Sequence, residues 1–260
     1  MFTRRFIQAV LLTGVIAAPA AAQDTWNWRK AIPAGRSIEI KGVNGDVLAT
    51  AASGSEVEVI ARKSAQRSDP DDVKIEVVEH EGGVTICAVY PTPRNGRANE
   101  CLPGARGRSN SENNDVDVDF EVRVPRGVLF TGKTVNGRVR ATGMTADVVA
   151  NTVNGSVNVS TTGLAEARTV NGSITVRMGR TNWTDHLEFE TVNGGILIEM
   201  PGDLNADVHA TTVNGSLSSD WPMTIRGRFG PRRMNGKIGN GGRELTLDTV
   251  NGDIELRKLN

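Results

Sequence analysis

Apolar and polar residues alternate with a period of two through much of the chain. Val116, Val118, Phe120, Val122 and Val124 share one face of a run that Pro125-Arg126-Gly127 closes, which predicts a strand with one buried face. Ser37-Ile-Glu-Ile-Lys41 alternates in the same way, and the β-rich runs Asp46-Val-Leu48 and Glu56-Val-Glu-Val-Ile60 follow it. Asp69-Pro70-Asp71-Asp72 reads as a turn, and the runs Val73 to Val78 and Val84 to Val89 flank Glu81-Gly82-Gly83 as a hairpin. A polar stretch over residues 91–114 reads as a loop. The predicted class is all-β.

A repeat dominates the second half. Val-Asn-Gly recurs with its asparagine at Asn44, Asn136, Asn154, Asn171, Asn193, Asn214 and Asn251, and Met234-Asn235-Gly236 is an altered copy. From Asn136 onward the spacings are 18, 17, 22, 21, 21 and 16 residues. Thr134, Thr152, Thr169, Thr191, Thr212 and Thr249 precede the motif, and an aliphatic residue stands two positions past each of these glycines, from Val139 to Ile254. Each unit thus reads as strand, Asn-Gly corner, strand, and a second corner of looser composition.

Asn-Gly suits such corners because both residues tolerate a positive φ. In a meander it would close ordinary hairpins, but successive copies would lie two strands apart and nothing would require them to match. In a solenoid the corners stack directly, about 4.8 Å apart, so the asparagines can form a hydrogen-bonded ladder while threonines and valines pack on their own copies. Repetition then has a cause. The expected fold is a β-helix-like β-solenoid with stacked Thr-Val-Asn-Gly corners. Its ladder would be Asn44, Asn136, Asn154, Asn171, Asn193, Asn214, Asn235 and Asn251, with length variation absorbed at the looser corner, for example between Met178 and His186.

The chain starts Met-Phe-Thr-Arg-Arg, continues with an apolar run from Phe6 to Ala18, and then reads Pro19-Ala-Ala-Ala22. That order of basic, apolar and small residues is a secretory signal. The 13-residue apolar run falls short of the roughly 20 that span a bilayer. Residues 1–22 are therefore expected to be removed and residues 23–260 to form one domain, exported to the periplasm or cell surface. Within it, residues 23–130 are irregular, carry the loop insertion 91–114 and cap the stack, and 131–260 hold the regular repeats.

Export changes the reading of the two cysteines. Cys87 and Cys101 are expected to form a disulfide in an oxidising compartment, closing a loop worth roughly 3 kcal/mol in chain entropy. Charge is balanced at 30 basic and 30 acidic residues, and loss of Arg4 and Arg5 leaves 28 basic. Such a protein has no global field that would gather nucleic acid.

The strand Glu121-Val-Arg-Val-Pro125 leading into Thr-Val-Asn-Gly repeats, with Val43-Asn-Gly-Asp-Val47 upstream, resembles a family of exported bacterial β-strand-repeat proteins of unassigned function, often labelled "putative adhesin". The resemblance runs from about Ser37 to Leu256. It implies a solenoid in the cell envelope and supplies no catalytic residues; the cysteine-stapled insertion departs from the plainer family pattern.

The chemistry-bearing residues form no recognisable constellation. Asp115, Asp117 and Asp119 are spaced like the start of a calcium loop, but Phe120 stands where the loop needs Gly and Arg126 where it needs Glu. Alternation with valines puts these carboxylates on the wet face of a strand. His80, His186 and His209 lack metal spacing, and the pair Asp185-His186 cannot make a triad by adjacency alone. Two basic stretches could hold an anionic glycan or lipid headgroup: Arg94, Arg97, Arg106 and Arg108 in the loop, and Arg226, Arg228, Arg232, Arg233 and Lys237. Trp26, Trp28, Trp183 and Trp221 suit the covering of solenoid ends. No catalytic residue, metal or cofactor is expected. The leading function is a non-enzymatic envelope scaffold or adhesin-like module presenting a repetitive β surface to glycan, lipid or protein. The alternatives are an envelope-stress sensor with a membrane partner and a polysaccharide-acting enzyme.

Overall fold

The structure is a computed structural model that describes residues 24–184, 186–225 and 232–259. The signal-like segment 1–22, Asp185, Arg226 and Arg228 lie outside the described residues.

The chain runs through β1 (Asp24–Ala31), β2 (Ser37–Lys41), β3 (Val47–Ala51), β4 (Glu56–Ser64), β5 (Lys74–His80), β6 (Gly83–Val89) and β7 (Asp117–Val124). It then makes pairs that straddle an Asn-Gly corner: β8 (Leu129–Lys133) with β9 (Val139–Met144), β10 (Val148–Asn151) with β11 (Val157–Thr161), and β12 (Ala165–Arg168) with β13 (Ile174–Met178). β14 (His186–Glu190) with β15 (Ile196–Met200) and β16 (Ala206–Thr211) with β17 (Leu217–Ser219) continue the series. β18 (Met223–Ile225), β19 (Arg233–Ile238), β20 (Glu244–Asp248) and β21 (Ile254–Lys258) complete it. No α-helix occurs among the described residues, and none is long and apolar enough to cross a membrane.

These strands form two mixed sheets. One runs β1-β4-β7-β3-β9-β11-β13-β15-β21-β17 and the other β18-β19-β16-β20-β14-β12-β10-β8-β2-β6-β5. The alternation explains the layering: β7 buries Val118, Phe120, Val122 and Val124 and exposes its other four residues, and the inward residues of both sheets meet in one apolar cluster. The central strands pair in parallel, as when a chain coils and returns to each sheet in the same direction. Antiparallel strands close three of the four sheet ends, and β17, parallel to β21, forms the fourth. β4 pairs with β7 and β1 with β4, β5 pairs with β6, and at the far end β19 pairs with β16 and β18 with β19.

Three expectations need correction. The rungs do not follow chain order, because β20 lies between β14 and β16, and β21 between β15 and β17. The last strand pair therefore inserts between two rungs that precede it. Asn235 is not at a corner; it lies in mid-strand in β19 opposite His209 of β16, where an antiparallel closing strand has no corner to share. And the irregular segment is more than a cap, since β2 and β3 form a full rung paired with β8 and β9.

Candidate functional site

Two features stand out, the edge where the Asn-Gly corners stack and a recess beside its first two rungs. Along the edge the order is Asn44, Asn136, Asn154, Asn171, Asn193, Asn251, Asn214. From Asn136 on, each asparagine's backbone N–H donates to the valine carbonyl of the preceding rung, as Asn136 does to Val43 at 2.7 Å and Asn193 to Val170 at 2.8 Å, whereas that of Asn44 donates to the Tyr90 hydroxyl. The side chains repeat this sense. Nδ2 of Asn136, Asn154, Asn171, Asn193, Asn251 and Asn214 each donates to Oδ1 of the preceding asparagine at 2.7–2.8 Å. Asn44 ends the column by donating to the Val116 carbonyl at 3.4 Å.

Behind this line lies a second column. The six threonines are buried, and each hydroxyl donates to the glycine carbonyl one rung back: Thr134 to Gly45, Thr152 to Gly137, Thr169 to Gly155, Thr191 to Gly172, Thr249 to Gly194 and Thr212 to Gly252, at 2.8–3.0 Å. Close approach, more than a positive φ, is what requires glycine. Only Gly45 and Gly252 of the seven corner glycines have positive φ. A Cβ on Gly137, Gly155, Gly172, Gly194 or Gly215 would stand 1.9–2.1 Å from the carbonyl oxygen of the neighbouring rung's glycine.

The motif valines divide: Val43 is buried and Val135 and Val192 are half-buried, while the others face out. Val153, Val170, Val250 and Val213 point outward and are 37–47% exposed, and they are the exposed large hydrophobics among the described residues. The alternation explains this, because a buried threonine forces the next side chain out.

The recess owes its form to the stapled loop. Thr85 and Cys87 on β6, Glu39 and Lys41 on β2, and Lys133 on β8 occupy outward positions, with Lys41 in register with Cys87 and with Lys133. On an open sheet face they would be wet. The Cys87–Cys101 bond, with Cα atoms 5.7 Å apart, lays residues 100–109 over them. Glu39 and Thr85 become buried, and a cavity of about 260 Å³ remains between the loop and the sheet. Lys41, Lys133, Arg106 and Arg108 line it, together with Ala88, Val89 and Val135.

Glu39, buried below the recess and not lining it, is the hub of the contacts beneath. It accepts from Lys133 Nζ at 2.8 Å, from the Thr85 hydroxyl at 2.9 Å and from the Gly104 N–H at 2.9 Å. Burial pushes its carboxyl up, but Lys133, Gly104 and Thr85 outweigh that and hold it below the usual carboxylate value. Lys41 Nζ donates to the carbonyls of Leu102 and Arg106 and lies 3.9 Å from Glu39. Burial pulls its ammonium below the usual lysine value; Glu39 opposes this, while Lys133 and Arg106 add to it.

The loop arginines divide. Arg106 and Arg108 border the recess, whereas Arg94 and Arg97 are exposed outside it. Asp117 and Asp119 sit on the outward face of β7. Burial and the charges of Asp119, Asp115 and Asp46 raise the Asp117 carboxyl, while Asp119 accepts from the Asp46 N–H and Asp115 from the Ser68 N–H. The histidines stay apart: His80 meets Thr85, His186 lies 3.8 Å from Glu188, and His209 meets Asn235. Arg232 and Arg233 are exposed, and Lys237 lies 3.9 Å from Asp207. Trp183 and Trp221 are buried, donating to the carbonyls of Glu244 and Gly202, while Trp26 and Trp28 pack on the core from β1. The residues that sequence reasoning missed are Glu39, Lys41 and Lys133. A signal for them existed: Lys41 and Lys133 each stand three residues before a motif asparagine, so stacked corners place them side by side.

A family profile described as Toastrack DUF4097 matches residues 31–257. No curated protein matches the chain. Among solved structures, a "putative cell adhesion protein" from Clostridium sporogenes is 11% identical, covering 91% of this chain and 100% of its own, with a TM-score of 0.46. A "putative adhesin" from Bacteroides fragilis is 12% identical over 92% of this chain and 98% of its own, with a TM-score of 0.34. Another from Parabacteroides merdae is 11% identical over 89% and 95%, with a TM-score of 0.25.

Proposed function

Because this chain belongs to the Toastrack DUF4097 family, a β-repeat fold, we propose that it is a non-enzymatic β-solenoid scaffold of the bacterial envelope that binds through its stacked Asn-Gly edge. One observation carries this: the exposed large hydrophobics among the described residues, Val153, Val170, Val213 and Val250, all fall in one column of that edge. Scattered apolar side chains on a surface need no explanation, but an aligned row beside a row of amides does. The backbone behind it is held rung to rung by three sets of hydrogen bonds, so the row is preorganised and costs little entropy to use. A signal-like start and the stapled loop support export to the periplasm or cell surface, where the ligand would be a glycan, lipid or protein of the envelope.

The test is an array of bacterial and host glycans and lipids, probed with the wild type and with Val153→Lys combined with Val170→Lys. Both side chains point outward, so the variant should fold. Selective binding by the wild type that the variant loses supports the edge as the binding surface. Equal binding by both would overturn it, as would no binding by the wild type.

A further inference from the structure

We infer that the recess beneath the Cys87–Cys101 loop is a second binding site, one for an anionic group carried on a small, apolar-backed molecule such as a sugar acid or sugar phosphate. It lies beside the first two rungs of that edge, where Val135 lines it one rung before Val153, and it does not depend on the function proposed for the exposed valines.

Charge is the first ground. Lys41 and Lys133 share one carboxylate, Glu39, at 3.9 and 2.8 Å. Their other partners are the carbonyls of Leu102, Arg106 and Gly104, which orient the ammonium groups and carry no net charge. Arg106 and Arg108 add two cations at the wall and Glu100 one anion, so four cations face two carboxylates. A site that is partly removed from water and holds surplus positive charge is stabilised by any anion that enters it. Burial, with the charges of Lys133 and Arg106, depresses the Lys41 ammonium against the pull of Glu39, and a bound anion would relieve that directly.

Geometry is the second. Each lysine has three N–H donors. Lys41 uses two on the loop carbonyls, and Lys133 uses two on Glu39 and Gly104, which leaves donors for a ligand. Val89 and Val135 supply an apolar side. The cavity, at about 260 Å³, falls just under the ~300 Å³ where drug-sized ligand sites begin, so it takes one charged ring or headgroup, not a polymer. Recesses that combine an apolar wall with a few converging polar groups are the usual form of small-ligand sites.

The bland account, that the lysines only tether the loop, predicts something different. Protein with the disulfide intact would be titrated with glucuronate, glucose 6-phosphate and uncharged glucose, following the backbone amides of Gly104 and Ala105 by NMR. The site requires that at least one of the two anions bind with a roughly millimolar or lower Kd, weaken with added salt, and leave glucose without effect. The anion that binds more tightly identifies carboxylate or phosphate as the preferred group. Arg106→Gln with Arg108→Gln removes wall charge and leaves the lysine contacts to the loop in place, losing only the 3.4 Å bond from Arg108 to the Ala98 carbonyl, and should weaken binding about tenfold or more. Arg94→Gln with Arg97→Gln changes the loop's charge equally outside the recess and should have little effect. Absence of shifts at Gly104 and Ala105 with both anions overturns the site, and so does an equal loss in the two double variants.

Discussion

Asn251 donates its side-chain Nδ2 to Asn193 Oδ1 at 2.7 Å across 58 residues of sequence. Asn214, far nearer to Asn193 in the chain, reaches the column only through Asn251. The last rung is thus held on both sides, with β20 between β14 and β16 and β21 between β15 and β17. Ending the chain before Glu244 should therefore do more than shorten the stack. It removes the parallel partners of β16 and β17 along with Leu245, Leu247, Ile254 and Leu256 from the core. Amide hydrogen exchange on such a truncation is expected to show loss of protection from Ala206 onward, with β8 to β13 still protected. Retained protection in β16 would show that this strand is held without the inserted rung.

The two hydrogen-bonded columns of the corner should differ in worth. Asn193 is exposed, so its amide can exchange its neighbours for water, and Asn193→Ala should cost about 0.5–1 kcal/mol. Thr191 is buried and its hydroxyl serves the Gly172 carbonyl at 2.8 Å. Thr191→Val keeps the shape but leaves that carbonyl without its donor, at about 1–3 kcal/mol. Urea denaturation of both variants checks the order. A larger loss for Asn193→Ala would make the outer ladder the stronger of the two.

Much of this edge was legible in the sequence because a repeated residue in a stacked fold must meet its own copies. The all-β class, the hairpin of β5 and β6 and the seven corner asparagines could be read from period and motif alone. Asn235 was misread because Met-Asn-Gly satisfies the local pattern while its role is decided by pairing with β16, which lies outside the motif. The order of the last two rungs was equally hidden, since every corner has the same local chemistry and nothing in it specifies which copy stacks on which. Glu39 and Lys133 are 94 residues apart. Their meeting follows from register, and their burial follows from a loop whose path the polar stretch 91–114 does not encode in any period.

The glycine column makes a sharper prediction. Gly172→Ala would put a Cβ 2.1 Å from the Gly155 carbonyl oxygen, which is backbone held between two rungs. The rungs would have to separate, at a cost of about 3 kcal/mol or more. Gly54→Ala is the control, since nothing lies within 4 Å of a Cβ there. Thermal melts of the two variants should place Gly54→Ala near the wild type and Gly172→Ala far below it. Near-wild-type stability for Gly172→Ala would mean that the stack tolerates a local opening.

Glu39 gives the fold a dependence on acid. Its carboxyl is held below the ordinary value of 4.5 in the folded state, so the unfolded chain binds its proton first as pH falls. The stability it contributes is fully present above that ordinary value and is lost as pH drops through the lower folded one. Glu39→Gln removes the charge at every pH and leaves Lys41 and Lys133 without their shared carboxylate. It should cost about 1–3 kcal/mol at pH 7, a figure below that of fully buried pairs because the Lys133 side chain is 29% exposed. Denaturant midpoints measured from neutral pH down to about pH 3 should converge for wild type and variant as the carboxyl titrates, near and below the unperturbed range. The wild type loses its advantage on the acid side only, because a carboxylate already ionised at neutral pH gains nothing further from base. A gap between the two proteins that persists unchanged into acid would assign the role of Glu39 to packing and neutral hydrogen bonds, and would remove the charge balance of the recess as its cause.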